Sequence, residues 1–276
     1  LTLITLYLVS KEMLGERVAI IASLLYVTSP LVILHARMPY HTTPIPLFSL
    51  LYFYSLFRWM QGKKMYFSLS LFFLALLYNF ELATIVFLAP FGIITLYGFI
   101  KKQSWIMSLT KKDIVKSILF VLIPMIPVLI YDTTHGFKQT VVYVGWLVMH
   151  ALRTIGVSLY SSQTPEQSIN IFQFTYDLLQ KLVFLPQGII ALLLLLLSLT
   201  YVLITLYKQN AKHAVNKGLL LCTMWFVLTT LFYFGNKTPS EAYLPMLFPV
   251  VFLLIAYFLN GVFRARVLLL LVVGVI

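Results

Sequence analysis

Long apolar runs separated by short polar segments make up most of this 276-residue chain. A helix needs about 20 mostly apolar residues to cross a bilayer, with a range of about 17–25. Ten apolar runs occur: 1–9, 18–35, 43–57, 65–78, 82–100, 114–130, 185–207, 218–234, 242–259 and 267–276. The first and last are cut short by the chain ends, and 43–57 and 65–78 are also short of this range. The pattern predicts one all-α domain over residues 1–276, a polytopic transmembrane helix bundle of about ten spans. We expect the chain to be a fragment whose first and last spans are truncated.

The composition also indicates a membrane protein. Hydrophobic residues make up 61% of the chain and charged residues 10%, whereas a soluble domain has roughly 25% charged residues. The net charge of +12 would suggest nucleic acid as the partner of a soluble protein. Here the lysines lie in short segments between apolar runs, so we expect membrane lipids with anionic head groups, and no nucleic acid, as their partner.

Basic residues are divided unevenly between two alternating sets of polar segments. The first set is basic, with 15 Lys and Arg against three acids, and the second is neutral, with five of each. Because Lys and Arg are enriched in cytoplasmic loops, the basic set is predicted to be cytoplasmic and the neutral set extracytoplasmic, in a multi-pass protein of the cell (plasma) membrane. The neutral set contains Arg37, Lys138, Arg153, Lys181 and Lys237, with Glu81, Asp132, Glu166, Asp177 and Glu241.

Residues 131–184 are predicted to form one long external loop. The segment near 140–155 favours an amphipathic helix that lies at the membrane interface. If 141–152 crossed the membrane instead, every later segment would change sides, and Lys208, Lys212 and Lys217 would face outward. The charge bias favours the interfacial helix.

The first polar segment of the neutral set follows the second apolar run. It contains Arg37, Tyr40 and His41. An arginine at this position could hold a phosphate or pyrophosphate through two parallel hydrogen bonds, and Tyr40 and His41 would contact the same ligand. Alternatively, Arg37 only snorkels to the lipid head groups.

Glu81 lies in a tight turn between two apolar runs. A carboxylate near a bilayer is costly unless it is paired or lies at the water boundary. Glu81 is therefore a candidate general base or the partner of a basic neighbour. The alternative is a solvated acid in a turn.

The segment 131–138 contains Asp132, His135, Gly136 and Lys138. Asp132 and His135 are three residues apart and would share one face of a helical turn. This spacing favours a histidine that the carboxylate holds in one tautomer, a common acid–base arrangement. Lys138 adds a charge suited to a phosphate. The alternative is a capping aspartate in an ordinary external turn.

Several other site chemistries are excluded by the motifs. The chain has no H-E-x-x-H, no P-loop, no G-x-G-x-x-G and no G-x-S-x-G. Its five histidines lack zinc-ligand spacing, and Cys222 is the single cysteine. We predict no metal site and no cofactor.

Three segments resemble a known family. Residues 22–30 read Ala-Ser-Leu-Leu-Tyr-Val-Thr-Ser-Pro and lead to Ala36-Arg37, residues 131–137 read Tyr-Asp-Thr-Thr-His-Gly-Phe, and 243–249 read Tyr-Leu-Pro-Met-Leu-Phe-Pro. They resemble a span ending in Ser-Pro and an outer arginine, a Phe-Asp-x-x-His-Gly-Phe element and a Tyr-x-x-Pro-x-x-Pro span. These elements belong to the polyprenyl-phosphate-sugar-dependent membrane glycosyltransferases of fold class C. That group includes the protein O-mannosyltransferases (glycosyltransferase family 39) and the lipid A aminoarabinose transferases.

The resemblance implies transfer of a hexosyl or pentosyl group from a polyprenyl-phosphate carrier to a lipid, glycan or protein acceptor, on the extracytoplasmic face. The family's catalytic aspartate is expected before residue 1, which leaves Glu81 and His41 as candidates within this chain. The family often has an acid shortly after the arginine, where this chain has His41 and Thr42. The expected substrate-binding residues are Arg37, Tyr40, His41, Asp132, His135, Lys138 and Tyr243.

Two other functions stay open at this point, a lipid-linked-sugar transporter or flippase and a non-catalytic membrane scaffold. A transporter is expected to carry ionisable residues near the middle of its spans, often in paired broken helices. The spans of this chain are almost free of charge, and its polar residues collect at one surface. This distribution favours chemistry at that surface.

Overall fold

The computed structural model describes residues 1–38, 40–154, 171–183, 187–212, 214–235 and 241–263. Within these ranges the chain is helical and has no β-strand, which confirms the predicted all-α class. Two 3₁₀ helices, Leu82–Phe87 and Glu241–Met246, precede α6 and α13. The α-helices are α1 (Thr2–Leu14), α2 (Glu16–Thr28), α3 (Pro30–Arg37), α4 (Ile45–Met60), α5 (Met65–Phe80), α6 (Leu88–Ile100), α7 (Ser104–Met107), α8 (Lys111–Thr134), α9 (Lys138–Thr154), α10 (Ile171–Val183), α11 (Gly188–Ala211), α12 (Lys217–Gly235) and α13 (Phe248–Val262).

The described part contains four helices long and apolar enough to cross a membrane: Leu82–Ile100, Lys111–Thr134, Gly188–Ala211 and Lys217–Phe234. The bent pair α2–α3 makes five if it is counted as one span. The chain is polytopic as predicted, but fewer spans reach full length than the ten expected. The reason is that several apolar runs form helices of only 13 to 16 residues, such as α1, α4 and α5. The predicted run 267–276 lies outside the described residues.

The apolar run 18–35 is broken at Ser29–Pro30, where α2 and α3 meet at an angle of 65°. Proline lacks an N–H group and pushes the preceding residue out of the helical region, and Ser29 is accordingly extended at φ −70° and ψ 119°. The buried Ser29 hydroxyl donates a hydrogen bond of 2.6 Å to the Leu182 carbonyl of α10. The break is therefore tied to α10.

Aromatic side chains of α4 form the centre of the bundle. Phe53 stacks on Trp225 of α12 with ring centroids 4.3 Å apart. The Tyr52 hydroxyl donates to the Phe87 carbonyl at 2.5 Å, and the Trp225 indole N–H donates to the Met246 carbonyl at 2.8 Å. These two hydrogen bonds fix the last residues of both 3₁₀ helices to the core.

Helix ends with basic residues meet at one end of the bundle, which we call the basic end. There Glu12 of α1 forms an ion pair with Arg58 of α4. The Lys217 ammonium of α12 donates to the Met60 carbonyl at 2.6 Å. Because the helices alternate in direction, Arg37 and Glu81 lie at the opposite end.

The predicted external loop 131–184 is more helical than expected. α8 continues to Thr134, so the first residues of the predicted loop belong to a helix. The helix predicted near 140–155 is present as α9. α10 was not predicted, although its residues Leu179, Leu182 and Val183 have the spacing of an apolar helix face and pack against the core.

Candidate functional site

Three segments meet at the end of the bundle opposite the basic end: the turn between α3 and α4, the start of the first 3₁₀ helix, and the second 3₁₀ helix. The turn contributes His41, whose Nε2 lies 3.4 Å from Glu81 Oε2. The exposed fraction is 63% for the His41 side chain and 17% for that of Glu81. The structure thus gives the turn acid a basic neighbour, one of the two alternatives left open for Glu81.

Glu81 is held in place by the helix that it precedes. The residue is extended at φ −156° and ψ 125°, which ends α5 and starts Leu82–Phe87. Its Oε1 accepts the Ala83 N–H at 3.5 Å, and its carbonyl accepts the Thr84 hydroxyl at 2.7 Å. The side chain satisfies an N–H group at a helix start, as N-cap residues do. Its second oxygen remains directed towards His41.

Tyr243 lies on the second 3₁₀ helix and is half-buried. The Glu81 carboxylate lies close enough to act electrostatically on its phenol. The phenol hydroxyl can donate its hydrogen. Glu81, His41 and Tyr243, which are far apart in the sequence, therefore form one polar cluster.

His35 belongs to the same region, although it was not among the predicted binding residues. Its Nε2 lies 3.2 Å from the hydroxyl of Thr42, which is buried. Its ring packs edge-on against Phe248 of α13, with centroids 5.4 Å apart. In the sequence, the one indication of this role was that His35 lies two residues before Arg37. The contact of His35 with α13 depends on the fold and could not be read from the sequence.

Arg37 and Tyr40 are exposed next to this cluster. Arg37 ends α3, and Tyr40 has an exposed fraction of 60%. Within the described residues, Arg37 has no hydrogen bond or ion pair to a protein group. Its guanidinium is therefore available to an anionic ligand.

Asp132 has a different neighbour from the one predicted. Its side chain is 2% exposed and accepts hydrogen bonds from the Thr140 N–H, at 3.0 Å, and from the Thr140 hydroxyl. His135 Nδ1 instead lies 2.8 Å from the Tyr131 carbonyl, and its ring stacks on Tyr131 at 4.1 Å. The predicted Asp132–His135 pair is therefore wrong.

The turn after α8 explains this difference. The helix stops at Thr134, and both Gly136 and Phe137 have positive φ, 67° and 59°. This reversal brings the first turn of α9 back onto the end of α8. Asp132 consequently anchors the junction of the two helices, while Lys138, at the start of α9, is exposed.

Replacing Thr140 by valine is expected to loosen this junction. The change keeps the backbone N–H but removes the hydroxyl bond to a buried carboxylate, which is worth about 1.5–3 kcal/mol for a charged acceptor. Amide hydrogen exchange of α9 should become faster. Thr133→Val is the matched control, because the exposed Thr133 hydroxyl bonds only to carbonyls of its own helix, Leu129 and Ile130. Equal exchange rates in the two variants would contradict the anchoring role of Asp132.

A cavity of about 260 Å³ adjoins the polar cluster. Its lining is apolar except for Thr230 and Tyr233, and includes Leu31, Leu182, Leu195, Phe226, Leu244 and Phe248. Phe248 also contacts the His35 ring, and Leu244 directly follows Tyr243. The apolar cavity and the polar cluster therefore share a wall. In the described part of the chain, no group of three or more His, Cys, Asp or Glu could hold a metal ion.

Residues 1–131 match the family model described as dolichyl-phosphate-mannose-protein mannosyltransferase. Searches of the curated proteins and of the solved structures gave no match. The matched range includes Arg37, Tyr40, His41 and Glu81, whereas the other candidate residues follow it: Asp132, His135, Lys138 and Tyr243. Over residues 1–131 the chain is thus similar to this family of membrane glycosyltransferases, in agreement with the resemblance seen in its sequence.

Proposed function

We propose that this protein transfers a sugar from a polyprenyl-phosphate carrier to a lipid, glycan or protein acceptor on the extracytoplasmic face of the cell membrane. The observation that supports this proposal best is the apolar cavity that shares a wall with a polar cluster. A polyprenyl-phosphate sugar has the same two parts, a long apolar chain and a charged, hydrophilic head. Sites for such ligands combine a mainly apolar lining with a few placed polar groups.

In this proposal the isoprenoid chain enters the cavity between α3, α10, α11 and α12. The head group then lies at the polar cluster, where Arg37 and Lys138 provide positive charge for the phosphate. Arginine suits this role because its planar guanidinium can make two parallel hydrogen bonds to phosphate oxygens. Tyr40, His41 and Tyr243 are assigned to the sugar, while His135 lies at the exposed edge of the head-group region. Asp132 acts indirectly, by holding the α8–α9 junction from which Lys138 projects.

The proposed reaction is a substitution at the anomeric carbon of the sugar. The acceptor oxygen bonds to this carbon as the bond to the phosphate oxygen breaks, and the polyprenyl phosphate leaves with the electron pair. The acceptor proton goes to a general base. Within this chain, the Glu81–His41 pair is the candidate for orienting the acceptor or receiving the proton.

A cavity-filling substitution tests the placement of the isoprenoid chain. Leu195 is 6% exposed and lines the cavity, whereas Leu193 on the same helix is 51% exposed and does not line it. Leu195→Trp should weaken the binding of a polyprenyl phosphate to the purified protein by about tenfold or more, since an overpacked site resists further atoms. Leu193→Trp should bind like the wild type.

Binding is measured by native mass spectrometry with polyprenyl phosphates of increasing chain length. The proposal predicts that Leu195→Trp discriminates most strongly against the longer chains. If Leu195→Trp and Leu193→Trp bound every chain length as tightly as the wild type, the cavity would not be the lipid site. Radiolabelled polyprenyl-phosphate sugars and membranes that carry the protein then test transfer itself.

A further inference from the structure

Lysines are concentrated at one place on the basic end of the bundle. They lie at the start of α5, at the end of α6 and on the first turns of α8. Six of them are exposed: Lys63, Lys101, Lys102, Lys111, Lys112 and Lys116. We call the whole group the basic rim, and it consists of Lys63, Lys64, Lys101, Lys102, Lys111, Lys112 and Lys116.

The packing of α7 and α8 brings these lysines to a common edge. Trp105 of α7 is buried, and its ring lies 4.8 Å from that of Trp59 in α4. The hydroxyls of Ser68 in α5 and Ser117 in α8 are 2.9 Å apart, which joins the two helices near their basic ends. The connection between α6 and α8 is thus fixed against the bundle, and its lysines have a defined position.

Little negative charge offsets the basic rim. Its acid, Asp113, accepts hydrogen bonds from the Thr110 N–H at 2.8 Å and from the Thr110 hydroxyl at 2.7 Å, which forms a capping box at the start of α8. Asp113 acts electrostatically on Lys64 and Lys116. Within the described ranges, no ion pair joins Lys101, Lys111 or Lys112 to an acid. The rim therefore has a strong positive field that the protein itself does not neutralise.

Apolar side chains are exposed between these lysines. Ile100, Met107 and Ile114 have exposed fractions of 68%, 50% and 50%, and each lies within four residues of a rim lysine in the chain. A soluble anion would cover the charges but leave these apolar groups in water. A phospholipid covers both, because its phosphate meets the lysines and its acyl chains meet the apolar groups.

We propose that the basic rim binds the phosphate groups of anionic phospholipids and so holds this end of the bundle at one membrane surface. The partner is a lipid of net negative charge, such as phosphatidylglycerol, in preference to a zwitterionic lipid of the same chain length. The interaction does not depend on the proposed sugar transfer, because the rim lies at the opposite end of the bundle from Arg37 and Glu81. Lipid binding of this kind distinguishes the rim lysines from the other lysines of the chain.

The test compares two glutamine variants of the purified chain. One is Lys101→Gln/Lys111→Gln/Lys112→Gln, and the control is Lys181→Gln, which removes an exposed lysine of the predicted extracytoplasmic set. Native mass spectrometry gives the affinities for phosphatidylglycerol and for phosphatidylcholine. Each basic residue near an anionic membrane surface contributes about fivefold in affinity, so the rim variant should lose about tenfold or more for phosphatidylglycerol alone. The control variant should stay within about twofold of the wild type.

Two further measurements make the outcome unambiguous. Lys101→Arg/Lys111→Arg/Lys112→Arg keeps the charge and should retain the preference for phosphatidylglycerol, which separates charge from folding defects. Soluble glycerol phosphate at equal concentration should not compete, because it lacks acyl chains. The proposal is overturned if the two glutamine variants lose affinity equally, if neither loses it, or if glycerol phosphate displaces the lipid.

Discussion

Replacing Arg37 by alanine is expected to weaken the binding of a polyprenyl phosphate by about tenfold or more. Hydrogen bonds to charged groups are worth about 1.5–3 kcal/mol, and about 1.4 kcal/mol corresponds to a factor of ten in affinity. Arg37 is exposed at the end of α3, so its removal should leave the packing of the bundle intact. The loss should therefore appear in ligand binding and not in thermal stability.

The ligand series identifies the phosphate as the group that Arg37 recognises. Polyprenyl phosphate and the corresponding polyprenol differ only in the phosphate, so Arg37→Ala should lower the affinity for the first and leave that for the second unchanged. The affinity of Arg37→Lys for polyprenyl phosphate should lie between those of the wild type and of Arg37→Ala, because an ammonium cannot make the two parallel hydrogen bonds of a guanidinium. Lys181→Ala is the matched control, since Lys181 is an exposed basic residue on α10. Equal losses for phosphate and alcohol would refute the assignment.

The second large effect is expected at Gly218, where Gly218→Ala should destabilise the protein by about 1–3 kcal/mol. A Cβ atom at this position would lie 2.5 Å from the Met13 carbonyl oxygen of α1. That oxygen belongs to the backbone of a helix and cannot rotate away, so α1 and α12 would have to separate. Close helix contacts at small residues are typical of membrane proteins, in which packing provides much of the association energy.

Gly92→Ala makes the same chemical change but is expected to have the opposite effect on stability. Gly92 lies inside α6 and is exposed, and a Cβ atom added there would meet no other atom within 4 Å. Alanine is a better helix former than glycine by up to about 1 kcal/mol, so this variant should be neutral or slightly more stable. Thermal unfolding in a mild detergent measures both. A Gly218→Ala protein as stable as Gly92→Ala would show that the contact between α1 and α12 is looser than the structure indicates.

The helices could be predicted from the sequence because each apolar run is long and bounded by polar residues. The helix α9 was predicted in an otherwise polar region. The break between α2 and α3 was not predicted, since 18–35 was taken as one run, although Ser29–Pro30 encodes it. α10 was missed because Gln173, Asp177, Gln180 and Lys181 dilute its apolar residues below the level of a membrane span. Its apolar face is evident only from the helical spacing of residues such as Leu179 and Leu182.

The candidate site could be predicted as a set of residues but not as a set of contacts. Glu81 and His41 were both candidates, yet their pairing depends on how the α3–α4 turn and the first 3₁₀ helix meet. Asp132 was given the wrong partner because the three-residue spacing rule assumes a continuing helix. Positive φ at Phe137, which a bulky residue rarely adopts, was not evident from its identity. The cavity arises from separate segments of the chain and leaves no local pattern.

The two 3₁₀ helices change how far the chain reaches across a bilayer. A 3₁₀ helix rises about 2.0 Å per residue against about 1.5 Å in an α-helix, so six residues span about 12 Å instead of about 9 Å. α13, with 15 residues, measures about 22 Å alone, well below the hydrocarbon thickness of about 30 Å. Laid end to end with Glu241–Met246, it reaches about 34 Å. A span made of both segments would therefore match the membrane thickness, with Tyr243 near its polar boundary.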